Sequence, residues 1–194
     1  MAELPRTHPL ESRAAAWDRL PDVVGIAVEP FTSMVDVRIG VSGPQVTAAL
    51  GAALPIVPGT WARAGSGRAI WLGPDEWLLT STTERPEQLA GRIGGATLPF
   101  GGSVVDVSAQ RITLRLSGSR ARDVLAKGCS IDLHPRSFCR GSSAQTTLGQ
   151  AGVVLLALAD SGDDYAILVR SSFAGYLADW LADAALEFTA VGDD

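Results

Sequence analysis

The sequence predicts an α+β fold: two ferredoxin-like β-α-β-β-α-β repeats sharing an antiparallel sheet system, with helices outside. Three observations lead there. The stretch Arg68–Thr80, RAIWLGPDEWLLT, reads as a hairpin that is apolar on both faces. A strand, a Ser-Gly turn and a helix occur twice, with Ser42-Gly43 and Ser117-Gly118 offset by 75 residues. Residues Phe173 to Phe188 carry the clearest amphipathic helix of the chain.

In the hairpin, Pro74 fixes φ for the second position of a type I or II turn, and Gly73, Pro74, Asp75 and Glu76 make a four-residue loop. Ile70 and Leu72 point one way and Trp71 the other; Trp77 and Leu79 oppose Leu78 in the same manner. A hairpin apolar on both sides is a central element, covered by helices on one face and by further protein on the other. Asp75 and Glu76 read as solvated turn residues rather than a catalytic carboxylate pair.

Taken in order, residues 1–22 form an N-terminal arm, 23–101 a first α+β half, and 102–194 a second half ending in the C-terminal helix. In the arm, Ser12–Leu20 has Trp17 and Leu20 on one side and stops at Pro21, which leaves two readings: a docked helix, or a mobile tail anchored by one tryptophan. Val23–Val28 and Met34–Val41 are strands, and in the second Val35, Val37, Ile39 and Val41 alternate with Asp36, Arg38 and Gly40. A helix begins at Pro44, presents Val46, Ala49, Leu50 and Ala53, and stops by Pro55. The connection PIVPGTWARAGSG follows; its Gly65-Ser66-Gly67 has neither the spacing nor the lysine of a phosphate loop. Glu87–Ile93 is a short helix ended by Gly94-Gly95.

Gly101-Gly102 marks the joint between the halves. The second cycle runs through Val104–Val107, then Ile112, Leu114 and Leu116 alternating with Thr113 and Arg115. A helix with Ala121, Val124 and Leu125 inward follows, with Lys127 in its last turn and Gly128 at the C-terminal cap. Ser142–Leu148, Val153–Leu158 and Tyr165–Val169 are strands. In the last helix Phe173, Leu177, Trp180, Leu181, Ala184 and Phe188 make one face, and Asp179, Asp183 and Glu187 a solvated stripe.

Of the 194 residues 46% are apolar, enough for a real core, while only 19% are charged against about 25% for an average domain. The net charge of −5 is segregated: Arg111 to Arg140 is locally +5, and the chain from Gly141 onward is −7. An acidic total without basic–aromatic interleaving argues against nucleic acid, and no apolar run is long enough for a membrane. The first residues lack the apolar core of a signal peptide, and two cysteines, Cys129 and Cys139, make no disulfide framework, so the expectation is free thiols and a cytoplasmic location.

The search for chemistry assigns no residue. His134 with Cys129 and Cys139 is one ligand short of an ordinary structural zinc site and lacks a C-x-x-C pair; a loop histidine capping a backbone group is the better reading. His8 lies in the arm. Cys129, at a helix C-terminus, has its pKa pushed the wrong way for a nucleophile. No G-x-S-x-G, G-x-G-x-x-G or Walker sequence occurs. The one site-like feature is Arg111, Arg115, Arg120, Arg122, Arg136 and Arg140, which suit an anionic ligand, an acidic partner surface, or simply a solvated polar face.

Two long stretches, WLGPDEWLL (Trp71–Leu79) and VDVSAQRITLRLSGSRARDVLAKGCSIDLHPRSF (Val105–Phe138), resemble the gamma subunit of bacterial heterotetrameric sarcosine oxidase, and LVRSSFAGYLADWLADAALEF (Leu168–Phe188) extends the likeness. It covers residues 24 to 190, more weakly in the first third. DVLAKGC-x-x-DLHPR-x-F is its specific element; GPDEW alone also suits the wider folate-dependent aminomethyltransferase group. Ser119 stands where that pattern has a proline, and Ala109 where it has a larger polar residue. The resemblance implies a non-catalytic structural subunit. Its complex would oxidatively demethylate sarcosine to glycine, yield hydrogen peroxide and pass the one-carbon unit to tetrahydrofolate. FAD, FMN, NAD, zinc and tetrahydrofolate would belong to larger flavin-binding partner subunits, with no catalytic, cofactor-binding or metal residue in this chain. The competing reading is a free-standing folate-binding or aminomethyltransferase-like protein that uses the arginines for ligand carboxylates. An RNA-modification accessory role is disfavoured by the acidic charge.

Overall fold

The computed structural model describes residues 8–13, 17–18, 20–40, 47–48 and 53–188. Among these residues ten strands build two five-stranded sheets, antiparallel throughout. The first has the order β3 (Trp61–Ala64), β4 (Gly67–Gly73), β5 (Glu76–Ser81), β2 (Ser33–Arg38), β6 (Ser103–Asp106). The second has the order β8 (Ser143–Leu148), β9 (Ala151–Ala157), β10 (Asp164–Arg170), β7 (Arg111–Ser117), β1 (Gly25–Val28). The helices α1 (Pro86–Thr97), α2 (Ala121–Ala126) and α3 (Ala174–Ala185) complete an α+β architecture.

The burial pattern explains the layering. Met34, Ile70 and Leu78 of the first sheet meet Val154, Leu156, Ala166 and Leu168 of the second in a core between the sheets. The outer face of the first sheet sets Val35, Val37, Trp77 and Leu79 against Leu89, Ile93 and Ala96 of α1. The outer face of the second packs Leu114, Leu116 and Ile167 against Val124 and Leu125 of α2 and Leu177 and Leu181 of α3. Burying each such Leu, Ile or Val is worth about 1.5–3 kcal/mol, so the β4–β5 hairpin, apolar on both faces, secures two of the three cores at once.

The sheets are related by an exchange of edges. In chain order, β2-β3-β4-β5-α1-β6 and β7-α2-β8-β9-β10-α3 run through equivalent positions, and the fifth strand of the second sheet is β1. Thus β1, which precedes β2, pairs with β7, and β6, which precedes β7, pairs with β2. Each sequence cycle lends one edge strand to the other's sheet, and the chain crosses between sheets at 29–32 and again at 107–110.

Several local expectations are corrected. The hairpin loop is two residues rather than four, because Gly73 pairs with Glu76; a register shift between Trp71 and Gly73 absorbs Leu72 as a bulge. α1 does not stop at Gly94-Gly95. It continues to Thr97, whose hydroxyl donates to the Ile93 carbonyl at 2.9 Å, since Ala96 and Thr97 are buried. Gly101, at φ 75°, makes the turn that follows. Phe173 is 44% exposed, and the buried face of α3 is carried instead by Ala174, Leu177, Ala178, Leu181, Ala184 and Ala185. Gly128 does not hold a left-handed cap. Its role is close packing, because a Cβ there would lie 2.5 Å from the Trp180 ring and 2.9 Å from the Gly149 nitrogen. Ser117-Gly118 does end β7 ahead of α2; Ser42-Gly43, and the expected helix from Pro44 apart from residues 47–48 and 53, lie outside the described residues.

The arm is docked where it is described. Leu10 is fully buried and Trp17 nearly so in the core of the second sheet, and Arg13 donates two bonds to Asp179 of α3 at 2.7 and 3.0 Å. The acidic stripe on α3 is therefore only partly solvated: Asp179 holds Arg13, and Glu187 lies 2.6 Å from Lys127.

Candidate functional site

The two crossings between sheets border a cavity of about 570 Å³. Its walls come from Val28 and the 29–32 crossing, from Ser108 and Ala109 of the second crossing, and from Arg111–Thr113 at the start of β7; Met34, Ser171 and His8 close it. The residues that hold these walls are short and polar, as tight crossings require. Ser108, itself buried, accepts the Met34 N–H at 2.9 Å and donates to Asp106 at 2.6 Å. The Glu29 N–H donates to the Thr113 carbonyl at 2.9 Å, and Thr32 donates its hydroxyl to the Pro30 carbonyl. Ser171 donates through its backbone to Gln110 and through its side chain to Ala109, pinning the end of β10 to the second crossing. On the open side His8 accepts the Leu10 N–H at 3.1 Å, and burial holds its imidazole below the ordinary value.

Arg111 stands in this wall half-buried, with no carboxylate at ion-pair distance among the described residues. Antiparallel register sets it opposite Arg170. Burial, helped by the like charge of Arg170 and opposed by Asp36, lowers the affinity of this guanidinium for its proton. Asp36, on the facing sheet, is held above the usual carboxylate range by burial and then by Glu76; Arg38 and Arg111 act against this.

A second cleft of about 410 Å³ shares Glu29, Pro30 and Thr32 with the first and is lined by Trp61, Arg63, Arg68, Arg115, Arg140 and Asp164. Two of its guanidiniums are neutralised in place. Arg68 donates to both oxygens of Glu29, at 2.8 and 2.7 Å, and Arg115 to both oxygens of Asp164, at 2.9 and 2.7 Å. Arg68 also stacks over Trp61, 5.8 Å from the ring centroid, while the indole N–H donates to the Ala157 carbonyl.

The six arginines between 111 and 140 are thus dispersed rather than gathered. Arg111 lines the large cavity and also, with Arg170 and Gln145, a neighbouring cleft of about 520 Å³, and Arg115 and Arg140 meet at the second cleft with Arg63 and Arg68 of the other half. Arg120 pairs with Asp123 one turn on and lies over Phe188 at 5.6 Å. The Tyr165 hydroxyl donates to the Gly162 carbonyl, and its pKa is pushed up to about 12, chiefly by burial and against the charge of Arg122. The Arg136 N–H donates to Nδ1 of His134, the backbone-capping role expected of that histidine. Glu76 of the hairpin tip accepts from Arg38 at 2.8 Å, and the Asp75 carbonyl accepts the Ile39 N–H. Cys129 and Cys139 are free thiols, beside Thr146 and Ser142 respectively. Among the described residues no group of three or more His, Cys, Asp or Glu is placed to hold a metal ion. Glu29, Asp36, Arg63, Arg68 and Arg170 were not singled out from the sequence. Strand register and the 29–32 crossing bring them to these sites, and no local motif announces it.

Comparison with known proteins adds a consistent pattern. The model of the sarcosine oxidase, gamma subunit family matches residues 39–187. The sarcosine oxidase subunit gamma of Corynebacterium sp. (strain U-96) is 38% identical over 93% of this chain and 87% of its own length. That of Arthrobacter sp. is 40% identical over 81% and 78%. Among solved structures, heterotetrameric sarcosine oxidase from Corynebacterium sp. U-96, in complex with pyrrole 2-carboxylate, contains a chain that superposes with a TM-score of 0.85. It is 33% identical and covers 97% of this chain and 99% of that one. The aminomethyltransferase T of the glycine cleavage system from Bartonella henselae shares the fold alone, at 15% identity and a TM-score of 0.60 over half of its length.

Proposed function

The chain belongs to the sarcosine oxidase gamma subunit family, and from that premise we propose that it is the non-catalytic structural subunit of a cytoplasmic complex. In this reading the complex oxidatively demethylates sarcosine to glycine, produces hydrogen peroxide and hands the one-carbon unit to tetrahydrofolate. FAD, FMN, NAD and zinc sit in larger flavin-binding partners. The superposition on a chain of a heterotetrameric sarcosine oxidase, end to end at 33% identity, carries the proposal. The surface supports it: Leu98 and Phe100, beside the edge strand β6, and Val105 within it are 62%, 49% and 58% exposed. An edge strand with apolar neighbours suits a protein covering better than water. Among the described residues no helix is long and apolar enough to cross a membrane. We further propose that residues 1–22 act as an arm over two halves, 23–101 and 102–194, that arose as repeats. Nothing in the comparisons favours the free-standing folate-binding alternative.

The test is co-expression with the larger flavin-bearing chains of a heterotetrameric sarcosine oxidase. Co-purification of a yellow complex with sarcosine-dependent peroxide production is expected, together with a colourless, inert chain when it is expressed alone. A chain that never joins those partners, or that turns over sarcosine by itself, overturns the proposal.

A further inference from the structure

We propose that the cavity between the two inter-sheet crossings binds a small amphiphilic monoanion, an apolar body bearing one carboxylate whose charge is met by Arg111. A volume of about 570 Å³ falls within the range of small-molecule sites, roughly 300–1,000 Å³, and the walls are mostly apolar, as such sites are. Val28, Phe31, Met34 and Ile112 offer the surface for the body. Among the described lining residues Arg111 is the one arginine or lysine, and it has no carboxylate at ion-pair distance. A guanidinium drawn half out of water has lost solvation, and a carboxylate accepting from it in bidentate fashion restores what was lost. Among the described residues that need is unmet: Arg111 forms no ion pair, and its cross-strand neighbour is Arg170, a like charge in a position that destabilises a sheet. Asp36 is felt across the gap between sheets without pairing with it.

Arg170 is not among the lining residues, so the charge count of the cavity wall itself selects a monoanion. Glu29, the acid on the wall, is already occupied by Arg68, so it neither repels a carboxylate strongly nor releases a second cation. Burial disfavours the charged form of His8, which adds a hydrogen-bonding group at the open side. The walls are also set in advance. Ser108, Ser171, Thr32 and the Glu29 backbone are all committed to hydrogen bonds that fix the crossings, so little ordering is required on binding.

The experiment compares 3-phenylpropionate with 3-phenylpropanamide, its neutral isostere, by calorimetry and saturation-transfer NMR on the full chain and on the assembled complex. The acid should bind at least about tenfold tighter than the amide, the difference a charge-assisted hydrogen bond supplies. Arg111→Gln should bring the two within about twofold of each other, Arg111→Lys should keep part of the preference, and Ala109→Trp, which fills the space, should remove both. The lysine variant keeps the test decisive if the glutamine variant does not fold. Equal affinity for acid and amide, binding that survives in Ala109→Trp, or no binding to the full chain overturns the proposal. So does binding to the full chain that vanishes in the assembled complex, which would make the cavity the seat of a neighbouring subunit's side chain.

Discussion

Glu29 and Arg68 tie the two sheets together: each carboxylate oxygen accepts one guanidinium N–H, at 2.7 and 2.8 Å, from a residue 39 positions along the chain. Glu29 follows β1 at the edge of the second sheet, and Arg68 sits in β4 of the first. Their side chains are about one-fifth exposed, 18% and 21%, so water screens the pair only in part. Replacing Glu29 with Gln leaves Arg68 with one acceptor and a half-buried, unbalanced charge. The expected cost is about 1.5–3 kcal/mol, the range of hydrogen bonds to charged groups and below that of a fully buried pair. Urea unfolding of Glu29→Gln, Arg68→Met and the double variant measures it, and a coupling energy near zero would contradict the role assigned here.

Two glycines should respond to alanine in opposite directions. A Cβ on Gly67, at the start of β4, would stand 1.9 Å from the Thr80 carbonyl oxygen, and since that atom is backbone the β4–β5 ladder itself must open. Gly67→Ala should cost about 3 kcal/mol or more, the upper end of overpacking. Gly91, on the exposed side of α1, has open space where the Cβ would go. Gly91→Ala should stabilise by about 0.4–1 kcal/mol, by restricting the unfolded chain. Thermal denaturation of the two variants beside the parent chain decides both.

How far the sequence foretold this arrangement depended on whether the signal was local. The hairpin was legible because Ile70, Trp71, Trp77 and Leu78 leave no polar face, which only a doubly covered element tolerates. The end of α1 was misjudged because two glycines cost about 1 kcal/mol each against alanine, a local penalty outweighed by burial of Ala96 and Thr97. The edge exchange was invisible: β1 and β6 are four-residue strands whose partners are chosen by what lies beside them in space. The same holds for the cavity. Arg111 stood out in the sequence as part of a basic run, but contiguity misled, since neighbours such as Arg115 and Arg120 found carboxylates of their own. The residue that defines its surroundings, Arg170, lies 59 positions away and arrives through the β7–β10 register.

The two thiols should react at different rates. Cys139 is exposed and Cys129 partly buried against the second-sheet core. Ellman's reagent on the native chain should label Cys139 first and Cys129 in a slower phase, and Cys139→Ser should leave the slow phase alone. The denatured chain should present two equivalent groups. A single phase in the native chain would show that Cys129 is as accessible as Cys139.

Two carboxylates should give the stability profile opposing slopes in acid. Glu84 is held below the usual carboxylate range, first by its hydrogen bonds from Arg92 and against the effect of burial. Its contribution is complete above the unfolded value near 4.5 and is lost as the pH falls through the lower folded value. Asp36 behaves in the reverse sense. Its folded value is raised, first by burial and then by Glu76, so the folded chain holds that proton more tightly than the unfolded chain. Its contribution is therefore complete below the unfolded value of 3.8 and is lost as the pH rises through the folded value, leaving a partly desolvated carboxylate beside Glu76 at neutral pH. Asp36→Asn removes that penalty and keeps a group able to donate to Glu76. The variant should melt higher than the parent chain at pH 7, and the gap should close as the pH is lowered toward 3.8. Glu84→Gln should do the opposite, melting lower than the parent at pH 7 and converging with it in acid. Melting curves of the three proteins from pH 3.5 to 7.5 separate the two effects, and an Asp36→Asn variant less stable than the parent at pH 7 would mean that the pull of Arg38 and Arg111 on this carboxylate outweighs its burial.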